Sequence, residues 1–207
     1  MSECDCHVEA SNAAERRILW IAMGLNITMF VVGAGIGLLA QSMGLIADSL
    51  DMLADAGVYA IGLLAWARSA GFKASAAQLS GTLLLLLGFG VLLGVAWRLL
   101  MGSHPVGSLM MATAFVALLV NATVLQLLQR FRHGEVHLRA TWLFTRVDVI
   151  VNLAVIGSGA LVFYLHSAVP DLLIGTAIAL YVIKEALGIL REARQARVDA
   201  AASANRR

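Results

Sequence analysis

At 207 residues, 60% hydrophobic and only 14% charged, with a mean hydropathy of +0.83, the chain carries more apolar surface than a soluble domain can hide from water. The formal net charge of +2 is small, and the basic residues stand at the ends of apolar runs rather than in a patch, so a nucleic-acid surface is excluded. Two cysteines, Cys4 and Cys6, separated by one residue, make a poor disulfide pair and imply no disulfide framework.

The chain opens on MSECDCHVEASNAAERR, which is acidic and polar, unlike the basic start of a secretory signal peptide. The first apolar helix is therefore read as part of the mature protein. Apolar windows then predict six spans, at 18–40, 44–67, 79–101, 109–130, 141–165 and 169–190, each near the ~20 residues that a helix needs to cross a bilayer. Short connections leave no room for an internal soluble domain. The expected fold is an all-α membrane protein of six transmembrane helices. It is divided into a tail at 1–17, a membrane domain at 18–192 and a short tail at 193–207.

Lys and Arg alternate between the connections. Arg16 and Arg17, then Arg68 and Lys73, then Arg130, Arg132 and Arg139, and finally Arg191, Arg194 and Arg197 all fall on one side. The other side has only Arg98. By the positive-inside rule both termini are cytoplasmic, in a multi-pass protein of the cell (cytoplasmic or inner) membrane. In the first span Gly33 and Gly37, four apart, predict close helix approach, within the chain first and between two copies second.

The second span contains GLIADSLDMLADAGVYAIGLL, with Asp48, Asp51 and Asp55 in an otherwise apolar helix. A charge at the bilayer centre costs about 2.5–3.5 kcal/mol on insertion scales, so three of them need compensation. Asp51 and Asp55 share one helical face, a turn apart, and repel each other unless a cation or protons lie between them. A divalent metal suits that pair. For Asp48, near the start of the span, a packing role and a functional one weigh equally. The fifth span repeats the spacing with Asp148 and Asn152. At 1.5 Å per residue, Asp55 and Asn152 lie roughly 18 Å, and Asp148 roughly 12 Å, from the cytoplasmic side. Asn26 in the first span and Asn121 in the fourth fall at similar depth, and such amides more often join helices than bind metal. Arg146, two positions before Asp148, points to another face. It either snorkels to the surface or neutralises an acid.

Weaker metal signals lie outside the spans. Cys4, Cys6 and His7 bring soft ligands together, suited to zinc, cadmium or cuprous copper. His133, Glu135 and His137 form an H-x-E-x-H pattern in the fourth connection. His104 and His166 fall singly on the outer side and are read as bland.

The stretch Ala47–Asp48, Asp51 and Asp55 resembles the second helix of the cation diffusion facilitator family, and the six spans and Asn26 look like that family too. In its fifth helix the family carries His or Asp four residues before an Asp. Here that earlier position is Phe144, so the resemblance implies a site of Asp51, Asp55 and Asp148 with its fourth ligand missing, to be completed by Asn152, a water or Asn26. Members of the family usually add a cytoplasmic C-terminal domain, and by this resemblance the chain looks like a short member consisting of the membrane domain alone. The resemblance implies export of a divalent transition metal, zinc first, with cobalt, cadmium, iron and manganese open, in exchange for protons and with no tightly bound cofactor. Partners are then metal ions, protons and the bilayer, with a homodimer as a further option. Two rivals stand beside it: a proton-coupled exporter of organic cations, and a non-transporting scaffold or regulator with a degenerate site. No H-E-x-x-H, G-x-S-x-G or phosphate loop supports an enzyme.

Overall fold

The computed structural model describes residues 3–64, 70–129 and 136–204. They form α1 (Glu3–Leu39), α2 (Met43–Leu64), α3 (Ala70–Met101), α4 (Gly107–Leu128), α5 (Val136–Leu165) and α6 (Val169–Ala204), with no strand among the described residues. Five of these are long and apolar enough to cross a membrane, in the segments Arg16–Leu39, Ala74–Met101, Gly107–Leu128, Thr145–Leu165 and Val169–Val198. The sixth, α2, has 22 residues and carries the three aspartates. All-helical structure follows from the composition, because in hydrocarbon each backbone N–H and C=O must find a partner within its own segment. α1 and α6 continue as helix well beyond the apolar windows, α1 from Glu3 and α6 to Ala204.

The acidic helix sits at the centre. α2 packs against all five other helices, while α3 pairs mainly with α6, and α4 with α5. Lipid-facing apolar side chains such as Val31, Leu86, Leu93, Phe115, Ile150 and Leu173 belong to the surrounding helices. A helix ringed in this way can carry carboxylates that would be expelled from the bundle's rim.

The α1–α2, α3–α4 and α5–α6 connections gather at one end of the bundle, here the connection end. The helices preceding them stop at residues in left-handed backbone, Gln41 (φ 50°), Gly102 (φ 81°) and His166 (φ 51°), a common way of closing a helix C-terminus. Gln41 is pinned from two sides: its carbonyl accepts from Arg98 Nη1 at 2.7 Å and its Oε1 from the His104 N–H at 3.5 Å. The Val106 N–H donates to the Ala40 carbonyl at 3.0 Å.

The same end holds a buried cap that sequence reading passes over. Asp171, in the first turn of α6, is fully buried. Its Oδ2 accepts from the Met43 N–H at 2.8 Å, and its Oδ1 from the Gly44 N–H at 2.9 Å and the Ser42 hydroxyl at 2.5 Å. Ser42 Oγ accepts in turn from the Leu45 N–H at 3.0 Å. The first three amides of α2, orphaned at any helix start, are thus satisfied by a serine cap and by a carboxylate from another helix.

Close backbone approach fixes two helix pairs. A Cβ on Gly175 would stand 2.8 Å from the Met43 carbonyl carbon and 2.9 Å from Gly44 N, so α6 meets α2 backbone to backbone. Gly107 and Gly159 do the same for α4 and α5. Gly33 faces Ser49, and Gly37 faces Leu45 and Ile46. The glycine pair of the first span therefore serves packing within the chain, the first of the two expected uses.

Candidate metal site in the bundle centre

α2 inherits its helical start from the Ser42–Asp171 cap and then places Asp48, Asp51 and Asp55 at successive turns. Asp48 and Asp51 are buried, at 5% and 6% exposure, and Asp55 is partly buried. α5 runs antiparallel beside it, and side-chain contacts set their register. Asn152 Nδ2 donates to Asp48 Oδ1 at 2.8 Å. One turn further, Asp148 lies against Asp51 and Asp55. Beyond that, the Tyr59 and Thr145 hydroxyls meet at 3.3 Å.

The register revises one detail of the depth estimate. Asn152 was expected level with Asp55, whereas it bonds Asp48, nearer the connection end. The fifth helix begins at Val136, five residues before the expected span, so Asn152 stands farther from the helix's first residue than a start at 141 implies. Asp148 does join Asp51 and Asp55, as the spacing predicts.

Asn152 is fully engaged. Its amide group donates to Asp48, and its carbonyl accepts from Asn121 Nδ2 at 3.1 Å, which forms a buried relay across α4, α5 and α2. Asp48 and both amides are thereby tied into packing, while Asn121 Oδ1 is left without a partner. Asn26 is buried with its Nδ2 donating to the Ala22 carbonyl at 3.0 Å, and its Oδ1 has no partner. The oxygens that matter most are Asp51 Oδ2 and Asp148 Oδ2, buried and unpartnered on facing helices. Among the described residues no three His, Cys, Asp or Glu side chains are drawn together as a formed metal shell. The acids are neighbours that an ion would have to pull inward.

Replacing Asn152 by Ala removes the donor from Asp48 and the acceptor from Asn121. We expect a loss of about 1–3 kcal/mol in stability, the cost of stranding a buried polar group. Thermal melting should show Asp48→Ala and Asn152→Ala together costing less than the sum of the two, because they share one bond.

Arg146 is exposed, whereas Asp148 and Asn152 on the same helix are buried, as its different helical face predicts. Cys4, Cys6 and His7 lie in the first turns of α1, and His137 in the first turn of α5, but their side chains, like that of Phe144, fall outside what is described. His133 and Glu135 lie outside the described residues altogether.

Sequence reading missed two groupings. Tyr181 and Glu185, one turn apart on α6, are electrostatic neighbours of the acid cluster, Tyr181 of Asp51, Asp148 and Asp55, and Glu185 of Asp51 and Asp55. The signal was an acid well inside the last span, masked by its adjacent Lys184. At the connection end, His104 and His166 line one cavity of about 360 Å³ together with Ser103, Phe163 and Ser167. Nothing in their spacing would have paired them.

The central helix of this helical bundle carries three aspartates, and among the described residues Asp51 Oδ2 on it and Asp148 Oδ2 on the neighbouring α5 are buried without a hydrogen-bond partner, a costly arrangement within a membrane-spanning helix. The cation efflux transmembrane domain matches residues 19–196, nearly the whole bundle. The chain belongs to that family, the cation diffusion facilitators. No curated protein matches it closely enough to count as a relative.

Proposed function

We propose that this metal-cation transporter takes a divalent transition metal, zinc first, at Asp51, Asp55 and Asp148 and carries it out of the cytoplasm in exchange for protons. The observation that carries the reading is the pair of buried carboxylate oxygens, Asp51 Oδ2 and Asp148 Oδ2, on packed helices α2 and α5, that have no hydrogen-bond partner. Such oxygens accept either a proton or a metal. Ligation needs the ionised form, so an arriving ion releases protons, and protons from the other side eject the ion. Coupling follows from competition for one site, and alternating access from helices rocking around it.

The remaining assignments belong to the same reading. The membrane domain spans 18–192, flanked by tails at 1–17 and 193–207. Arg16, Arg17, Arg191, Arg194 and Arg197 hold the terminal end in the cytoplasm. Cys4, Cys6, His7, His133 and His137 are accessory contacts at that mouth, and Asn26, whose Oδ1 has no hydrogen-bond partner, is a further candidate ligand. A homodimer is compatible with it.

The test is uptake into proteoliposomes carrying a pH-sensitive dye, with Zn²⁺, Co²⁺, Cd²⁺, Mn²⁺ and an organic cation supplied in turn. Metal-dependent proton flux supports the proposal. Flux driven by the organic cation alone, or no flux with any of them, contradicts it.

A further inference from the structure

Resting on that reading of the site, we propose that Glu185 of α6 is the fourth carboxylate ligand of the transported ion. The register of α6 on α2 places it there. Both helices run from the connection end, where Asp171 grips the Met43 and Gly44 amides. One turn on, Gly175 lies against the backbone of Met43 and Gly44. Farther along, Ala186 and Ala54 share one apolar cluster with Leu84, flanked by Leu53 and Ile189. Gly175 with Gly44 and Ala186 with Ala54 differ by nearly the same offset. That offset sets Glu185 opposite Leu53 and Ala54, between the levels of Asp51 and Asp55.

Three further observations agree with this position. Glu185 is partly buried, whereas its neighbour Lys184 and the later Glu192 are exposed. Its charge is the smallest of the influences on Asp51 and on Asp55, across the helix interface, while the charges that act most on Glu185 itself are Lys184 and Glu192. Tyr181, one turn before it on α6, feels the charges of Asp51, Asp148 and Asp55. The cluster it joins already holds two buried oxygens with no partner, Asp51 Oδ2 and Asp148 Oδ2. A glutamate has one more methylene and one more torsion than an aspartate, so its carboxylate can sweep inward from a partly exposed backbone position once an ion is present. Four carboxylate oxygens suit a hard divalent ion such as Mn²⁺, and carboxylate oxygen is also a ligand of Zn²⁺. The position vacant in the fifth helix at Phe144 is then supplied from α6.

The experiment compares the full chain with Glu185→Gln, Glu185→Asp, Glu192→Gln and the pair Asp51→Ala/Asp55→Ala in proteoliposomes, with Zn²⁺ as the probe. Each is also loaded with Co²⁺ in detergent for its ligand-field spectrum. We expect E185Q to raise the half-saturating Zn²⁺ concentration about tenfold or more, on the scale that lost metal-site contacts produce, with E185D recovering part of it and E192Q unchanged. Loss of a ligand also changes the shape of the Co²⁺ bands, whereas a disturbed helix would only lower their amplitude. If E185Q transports Zn²⁺ like the wild type and gives the same Co²⁺ band shape, while the aspartate pair is inactive, Glu185 is no ligand and the cation site stands without it. Failure of the wild type to take up any metal overturns both readings.

Discussion

Alanine at both Asp51 and Asp55 should reduce metal uptake to the level of empty liposomes, while the purified bundle remains folded and melts at or above the wild-type temperature. Two ligands leave at once, and Asp148 and Glu185 alone cannot strip a divalent ion of its water. The stability side has the opposite sign from most buried substitutions. The acids repel one another in the bundle centre, and Asp51 Oδ2 has no donor to offset its burial. Removing them relieves repulsion that the fold tolerates only for the sake of the site. Uptake assays beside thermal melts of the metal-free proteins check both halves. A double variant that is inactive only because it unfolds would remove the evidence for a site.

Asp171→Ala should do the reverse: it should cost stability and leave the chemistry of the site alone. Its carboxylate serves three donors, the Ser42 hydroxyl and the Met43 and Gly44 amides, inside a fully buried junction. Bonds to a charged acceptor are worth about 1.5–3 kcal/mol each, and stranding their donors adds a penalty. Since the contributions are not additive, the expected loss is about 3–5 kcal/mol, roughly a 10 °C fall in melting temperature for a chain of this size. Asp171→Asn keeps one acceptor oxygen and should recover part of that. The folded fraction should keep its half-saturating metal concentration, because Asp171 lies about two turns of α2 or more from Asp51. A shifted metal affinity with unchanged melting would contradict the structural role.

These aspartates show what could be read in the sequence. Asp51 and Asp55 declare themselves, because no apolar helix carries paired acids without a reason and their four-residue spacing places them on one face in any bundle. Asp148 follows by the same logic on the fifth span. Six helices are equally legible, since each apolar run is long enough to span and the connections are short. Asp171 looks like an ordinary acid in a helix's first turn. Only the approach of α6 at Gly175 reveals that the helix it caps is α2. Glu185 was hidden for a related reason. Residue counting gives a depth along each helix but not the direction around it, and facing is decided by which helices are neighbours. Asn152 illustrates the limit: its expected depth is that of Asp55, and a helix that starts earlier, at Val136, puts it on Asp48.

The central claim is that the ion binds to carboxylates in the bundle and not to the sulfur and imidazole groups of Cys4, Cys6 and His7. X-ray absorption on the zinc-loaded chain tests this directly, because oxygen and sulfur ligands differ in bond length. We expect a nearest shell of oxygen at about 2.0–2.2 Å, lost in Asp51→Ala/Asp55→Ala and retained when Cys4 and Cys6 are replaced by Ser. A shell of sulfur at about 2.3 Å that survives the aspartate substitutions would contradict it.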